Sequence, residues 1–188
     1  MPPKINFRKE KIIQIAFEIL RKEGLGALSA RKIAMNLKCS TRPVYTAFRS
    51  MTELQDAVIE KARQYAMKYF QQNNDCTGSL FLNMGIQYFR FAREEKELFK
   101  LLFLDGKMGM NLEKMGHPFL PLIDQMKKDD RLQDISEESL KRIGLNMWIY
   151  THGLVSLSYN EPSEHAEEFV MEYLMKIGKN MIEWKNDK

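Results

Sequence analysis

Apolar side chains recur along this chain at intervals of three and four residues, the rhythm of helices buried on one side. No segment alternates in the two-residue rhythm of a strand. Ile12, Ile13, Ala16, Phe17 and Leu20 mark a first helix over about residues 7–22, closed by Gly24 and Gly26. Ile33, Ala34 and Leu37 mark a second over 29–37, and Val44, Ala47 and Phe48 a third over 41–48. Ser29 and Ser40 stand at the expected N-caps, each with a hydroxyl able to accept a hydrogen bond from an otherwise unpaired amide. Pro43 falls in the first turn of the third helix, where its missing N–H breaks no intrahelical bond. Thr52-Glu53-Leu54-Gln55 reads as a capping box that opens a fourth helix running to about residue 72. Further helices are expected over about 79–93, 95–104, 112–127, 136–159 and 163–185, with a loop or distorted helix at 105–111. The pattern predicts an all-α protein.

Only Lys38, Cys39 and Ser40 separate the second and third helices, so the two must cross steeply. That is the arrangement of a helix-turn-helix, whose second helix enters the major groove. Charge points the same way: residues 1–50 carry 11 Lys and Arg against 3 Asp and Glu, and the remainder 18 against 22. One end of the chain suits phosphate and the other does not. No Pro/Gly/Ser-rich linker follows residue 50. We therefore expect a three-helix DNA-binding domain over 1–50, joined by continuous helix and turn to a larger helical effector-binding and dimerisation domain over 51–188.

Composition narrows the function by exclusion. No apolar run approaches the ~18 residues of a membrane span, and the N-terminus lacks the apolar core of a secretion signal, so a cytoplasmic protein is expected. Cys39 and Cys76 form no disulfide framework and no metal-ligand cluster; each reads as a small buried apolar residue, set against the alternative of a redox switch. No metal and no cofactor is expected. The three histidines, His117, His152 and His165, are scattered, and neither a glycine-rich phosphate loop nor a nucleophile motif occurs, which argues against an enzyme.

Two neighbouring apolar seams run through the last two helices. Gly144, Met147, Thr151, Leu154 and Ser158 form one, and Ala166, Val170, Tyr173, Ile177, Met181 and Trp184 the other. They face either their own core or a second copy. A helix-turn-helix needs two half-sites, which favours a homodimer interface built from Met147, Thr151, Leu154, Ser158, Val170, Tyr173, Ile177, Met181 and Trp184. Small residues such as Gly153 would let backbones approach there.

Eleven of the 13 methionines follow residue 50, together with most aromatics, a composition that repacks around varied apolar ligands. Tyr65, Tyr69, Tyr88, Met147, Trp148 and His152 are the candidate effector-binding residues, set against the alternative that such residues simply fill a core. His152 reads either as a polar anchor in a ligand cavity or as a hydrogen-bonded histidine near the dimer seam. No excess of carboxylates on one helical face announces a cationic ligand.

The N-terminal residues resemble the TetR family of transcriptional repressors. The likeness runs through Ile13, Ala16, Glu23-Gly24, the stretch 28–34 (LSARKIA), Leu37, Ser40, Val44-Tyr45, Phe48 and Leu54, and covers about residues 7–60. A second element, Trp148 to Leu154 (WIYTHGL), is similar to one late in the C-terminal portion of one branch of the family. The resemblance implies an all-helical homodimer that binds a pseudo-palindromic operator and takes a small-molecule inducer in its C-terminal domain. Two positions depart from the pattern: Lys38 stands where the family usually has a turn glycine, and Met51 where it often has lysine.

In a helix-turn-helix of this kind, Thr41, Arg42, Pro43, Tyr45 and Thr46 lie at the end that reaches base edges. Arg42 is the leading base reader, since a guanidinium pairs bidentately with guanine O6 and N7. Pro43 and the Thr46 methyl suit thymine methyls, and the Tyr45 hydroxyl suits a phosphate. Ser29, Ala30 and Arg31 would approach the backbone at the second helix's N-terminus, and Arg49 supplies a further phosphate contact. Lys4, Arg8, Lys9 and Lys11 form either a minor-groove arm or a solubilising tail. The expected partners are thus double-stranded operator DNA, a small largely apolar or aromatic effector and a second copy of the chain. The alternative is a DNA-binding dimer whose C-terminal domain takes a protein partner or no ligand.

Overall fold

The structure, a computed structural model, describes residues 8–72, 80–109, 123, 126–127, 132–159 and 165–183, with the backbone alone at 71–72, 80–81 and 180–183. Among the described residues every regular element is helical: α1 (Lys9–Glu23), α2 (Ala30–Leu37), α3 (Arg42–Ala47), α4 (Met51–Gln72), α5 (Leu80–Glu94), α6 (Lys96–Phe99), α7 (Glu137–Ser158) and α8 (Ala166–Glu183). Most of the expected 112–127 helix lies outside the described residues. The chain divides into two compact units, residues 1–68 with 95–109 and residues 69–94 with 110–188. The first by packing thus extends past residue 50, taking in most of α4 and a later segment of chain.

In the first unit, α1 packs against α2 and α6, and α2 against α3. Their apolar stripes bury Ile12, Ala16, Leu20, Ile33, Val44, Phe48, Leu54 and Val58, as the three-to-four spacing requires. Gly24 ends α1 with φ 80, and its N–H is bonded to the Leu20 carbonyl. Ser29 caps α2 as expected, its Oγ accepting from the Lys32 amide at 3.2 Å.

Two caps fall elsewhere than the sequence suggests. Thr41, not Ser40, precedes α3, and no side chain caps that helix. The chain is still leaving the turn at Ser40, so the first helical carbonyl belongs to Thr41, which accepts from the amides of Val44 and Tyr45. Likewise α4 opens at Ser50 instead of Thr52: Ser50 Oγ accepts from the Glu53 amide at 3.1 Å, and Glu53 Oε2 accepts from the Arg49 amide at 2.8 Å. Glu53 closes a box two residues earlier than Gln55 would.

Lys38 occupies the left-handed region, φ 53 and ψ 44, the sole non-glycine to do so among the described residues. Its amide donates to the Met35 carbonyl and that of Cys39 to the Ala34 carbonyl, the paired bonds of a Schellman ending. The turn therefore keeps the geometry a glycine would give, at a cost of about 1–2 kcal/mol for the side chain.

The expected single helix over 95–104 is two pieces. α6 covers one turn, and Lys100–Leu104 continues as a π-helix, with the Asp105 amide bonded to the Lys100 carbonyl at 2.8 Å. Gly106 and Gly109, at φ 70 and 76, turn the chain beyond it, as the glycine-rich run predicted.

In the second unit, α5 packs on both α7 and α8, which also pack on each other. Gly85 allows this closeness, since a Cβ there would run into the Leu174 side chain. Ile123, Met126, Leu132, Ile135 and Leu140 form a buried cluster against which Met84, Ile143 and Trp148 pack. Ser136 caps α7 by accepting from the Ser139 amide. No helix among the described residues is long and apolar enough to cross a membrane.

Candidate functional site

The short helix α3 is anchored by Val44 and Phe48, both buried, which leaves Arg42, Tyr45 and Thr46 exposed and Thr41 and Pro43 half-buried. Every residue proposed to face bases thus lies on or beside the outward side. The side chains of Arg31, Lys38, Arg42 and Arg49 make no hydrogen bond or ion pair with another described residue. Other basic residues nearby are engaged: Lys32 pairs with Glu23, and Lys9 with Glu53 at 3.0 Å. Four cations without an ion pair thus lie on α2, in the turn and at either end of α3. An acidic partner would find four cationic side chains there, of which Arg49 also feels the nearby Glu53 carboxylate.

Sequence reasoning assigned no role to Lys38 beyond its turn, and none to Glu53. Glu53 binds the Arg49 amide and the Lys9 ammonium, which hold its carboxyl below the usual carboxylate range, the amide bond first and the lysine second. Lys9 also lies 4.5 Å over the Phe48 ring. Lys9 is thus part of a helix start, not of a free arm; Lys4 lies outside the described residues. Ala30 is buried, so only its backbone could approach a ligand, while Ser29 and Arg31 are exposed. Cys39 donates its Sγ–H to the Ser40 carbonyl at 3.2 Å, and Cys76 lies outside the described residues.

Tyr65 belongs to the first unit, where its hydroxyl donates to Glu95 Oε1 at 2.8 Å. Glu95 is only 4% exposed and also receives two N–H groups of Arg21, Nε at 2.6 Å to Oε2 and Nη2 to Oε1. Arg21 in turn lies 5.1 Å over the Tyr65 ring, and its guanidinium is held firmly in the charged form by Glu95. One buried carboxylate therefore ties α1, α4 and the start of α6 together. Nothing in the sequence separates Glu95 from its neighbours in the charged run Arg-Glu-Glu-Lys-Glu.

The other candidate effector residues share the second unit. Tyr69 donates to Glu94 at 2.8 Å, and its ring lies 5.2 Å from Phe91. Phe70 contacts Phe91 and stacks on Tyr88, which shares a 2.8 Å hydrogen bond with His152 Nδ1. Trp148 lies parallel to the His152 imidazole, centroids 5.1 Å apart. Burial pushes the Tyr88 phenol well up and the His152 imidazole down, so both are held neutral. Met147 is buried. Asn83 and Gln87, one turn apart on α5, are buried polar residues that the sequence reading did not single out. Two amides at helical spacing inside an otherwise apolar stripe are the signal that could have found them.

The candidate interface residues separate. Met147, Thr151 and Val170 are buried within their own unit, Leu154, Ser158 and Ile177 are half-buried, and Tyr173 is exposed. The Met181 side chain and Trp184 lie outside the described residues. The exposed apolar side chains of α7 and α8 are others: Ile149, Tyr150, Leu157 at 83%, Phe169 and Met175. Among the described residues no group of His, Cys, Asp or Glu could hold a metal ion.

No family model and no curated protein matches the sequence. Solved structures do. A TetR-family transcriptional regulator from Streptomyces coelicolor aligns with a TM-score of 0.59 at 17% identity, covering 90% of this chain and 78% of that one. The multidrug binding protein EbrR, solved with imidazole, aligns with a TM-score of 0.56 at 13% identity, covering 91% of this chain and 94% of its own. The all-helical architecture, with a helix-turn-helix at its N-terminal end, is the fold of the TetR-family transcriptional regulators.

Proposed function

We propose that this chain is a ligand-responsive, sequence-specific DNA-binding regulator, a repressor that binds a pseudo-palindromic operator as a homodimer and is released by a small, largely apolar or aromatic effector. The observation that carries the reading is the set of unpaired, exposed cations Arg31, Lys38, Arg42 and Arg49 around α2 and α3. Arg42 reads guanine; Arg31, Lys38 and Arg49 hold phosphates, with Glu53 fixing the Arg49 backbone. Arg42→Ala should relax sequence preference by about 1–3 kcal/mol, and Arg49→Ala should weaken all DNA alike and lower the salt slope by about one. Binding of both variants to a duplex recovered from a random library, and to its scrambled form, is the test. Equal losses on both duplexes for both variants would sink the assignment.

Homodimerisation rests on the exposed apolar side chains of α7 and α8. Tyr150, Leu157, Phe169 and Tyr173, with the half-buried Leu154 and Ile177 between them, offer a surface to a second copy, with Met147, Thr151 and Val170 buried in their own unit. Leu157→Asp should yield monomers in sedimentation and abolish two-site operator binding. For the effector, the support is a row of aromatic rings with neutral polar groups, Tyr88 and His152, and with no buried carboxylate among the described residues of that unit. A structural neighbour described as a multidrug binding protein agrees with this reading. The effector acts by favouring one of two placements of the recognition helices, so operator and effector must weaken each other by the same factor.

A further inference from the structure

Thr46 lies one turn after Arg42 on the exposed face of α3, and its single hydroxyl proton is already committed: Oγ1 donates to the Arg42 carbonyl at 2.9 Å. A threonine has one O–H and no other donor. Thr46 therefore has no proton to give a base or a phosphate; its oxygen can still accept, and beside it the side chain offers its methyl. Pro43, three residues earlier on the same face, has no N–H either and adds ring carbons beside that methyl. The exposed side of α3 thus presents one charged fork, Arg42, next to a small apolar patch. In the major groove the one apolar feature a base pair displays is the C5-methyl of a pyrimidine.

We propose that Thr46 is a specificity-determining residue that reads a pyrimidine 5-methyl group, so that thymine and 5-methylcytosine both count as the favoured base where uracil and unmodified cytosine do not. The inference rests on the DNA-binding reading above. It also makes a statement that base-pair lettering alone does not contain: C5-methylation of a cytosine placed at that step strengthens binding.

The probe is a duplex recovered from a random library by the full-length protein, resynthesised with deoxyuridine at each thymine in turn. A second series carries cytosine or 5-methylcytosine at the responsive position. Loss of one methyl from an apolar contact corresponds to roughly a fourfold change in affinity per half-site. Wild-type protein should show that ratio for thymine over uracil at one step per half-site, and for 5-methylcytosine over cytosine at the same step. Thr46→Ser keeps the bond to the Arg42 carbonyl but lacks the methyl, and should bring both ratios to about one. Thr46→Val keeps a methyl and loses the hydroxyl, and should keep both ratios. The reverse pattern, with serine discriminating and valine not, would overturn the proposal in favour of the hydroxyl; so would a wild-type ratio near one at every thymine. Failure of the DNA-binding reading looks different, since no sequence would then be enriched from the library. Helical content and melting temperature, read for each variant, separate misfolding from lost discrimination.

Discussion

Arg21→Met removes both N–H donors that the Glu95 carboxylate receives from α1, leaving a side chain of similar length that still packs. Glu95, 4% exposed, would be left with the Tyr65 hydroxyl as the one remaining donor of the three. A hydrogen bond to a buried charge contributes about 1.5–3 kcal/mol, and stranding one ion of a fully buried pair costs about 3–5 kcal/mol. Arg21 is itself 38% exposed, so water reaches part of the gap and the lower end applies. We expect a loss of about 2–3 kcal/mol, or about 5–10 °C in melting temperature for a chain of this size. Neutralising the carboxylate as well should recover much of it: Arg21→Met/Glu95→Gln should be more stable than Arg21→Met alone, since an amide is far cheaper to bury than an unpaired carboxylate. Guanidinium denaturation of the two single variants, the double and the wild type closes the cycle. If Arg21→Met costs less than about 0.5 kcal/mol, or if the double variant loses the sum of the singles, the carboxylate is not held as described.

The turn and the helix packing give further expectations. Lys38→Gly should stabilise the protein by about 0.5–1 kcal/mol, because relief of the left-handed φ of 53 outweighs the extra freedom glycine gives the unfolded chain; destabilisation in urea melts would refute that geometry. Gly85→Ala should cost about 1–2 kcal/mol net, the clash with Leu174 exceeding the gain in helix propensity, whereas at Gly153 an added Cβ meets nothing within 4 Å among the described residues and the same change should gain up to about 1 kcal/mol. A loss at Gly153 with a shift to monomer would place a partner against it. His152 has a folded pKa depressed by burial below its usual 6.5. Its contribution to stability is therefore complete above that value and declines as pH falls from it towards the lower folded one. Melts between about pH 8 and pH 5 should show a smaller drop for His152→Gln than for the wild type, and an equal drop would contradict a buried neutral imidazole.

What the sequence discloses follows from the range of each interaction. The helices of the N-terminal unit are legible because their apolar stripes, the Ser29 cap and the proline in the first turn of α3 are all local signals. The caps at Thr41 and Ser50 were misplaced by one or two residues for an equally local reason. Ser50 and Thr52 each begin a box-like tetrad, and only the reach of the Glu53 carboxylate to the Arg49 amide decides between them. The outward side of α3 was readable, since Val44 and Phe48 had to be buried. Periodicity could not tell a seam that faces its own core from one that faces a partner, which is why Met147, Thr151 and Val170 stood beside Tyr173 in one group. Least legible was Glu95, whose partner Arg21 is 74 residues away and whose sequence surroundings are those of a solvated charge run. The π-helical turn at Lys100–Leu104 left no mark in the pattern of apolar positions.

On the proposed function, the exposed face of α3 reads base sequence and does so in pairs. Selecting random duplexes on the full-length protein at near-physiological salt, then sequencing what is retained, tests it most directly. The account predicts a two-fold-related motif with half-sites about one helical turn, ~34–36 Å, apart. Retention that falls steeply with salt but enriches no sequence would contradict it, leaving a basic unit that grips phosphate without reading bases.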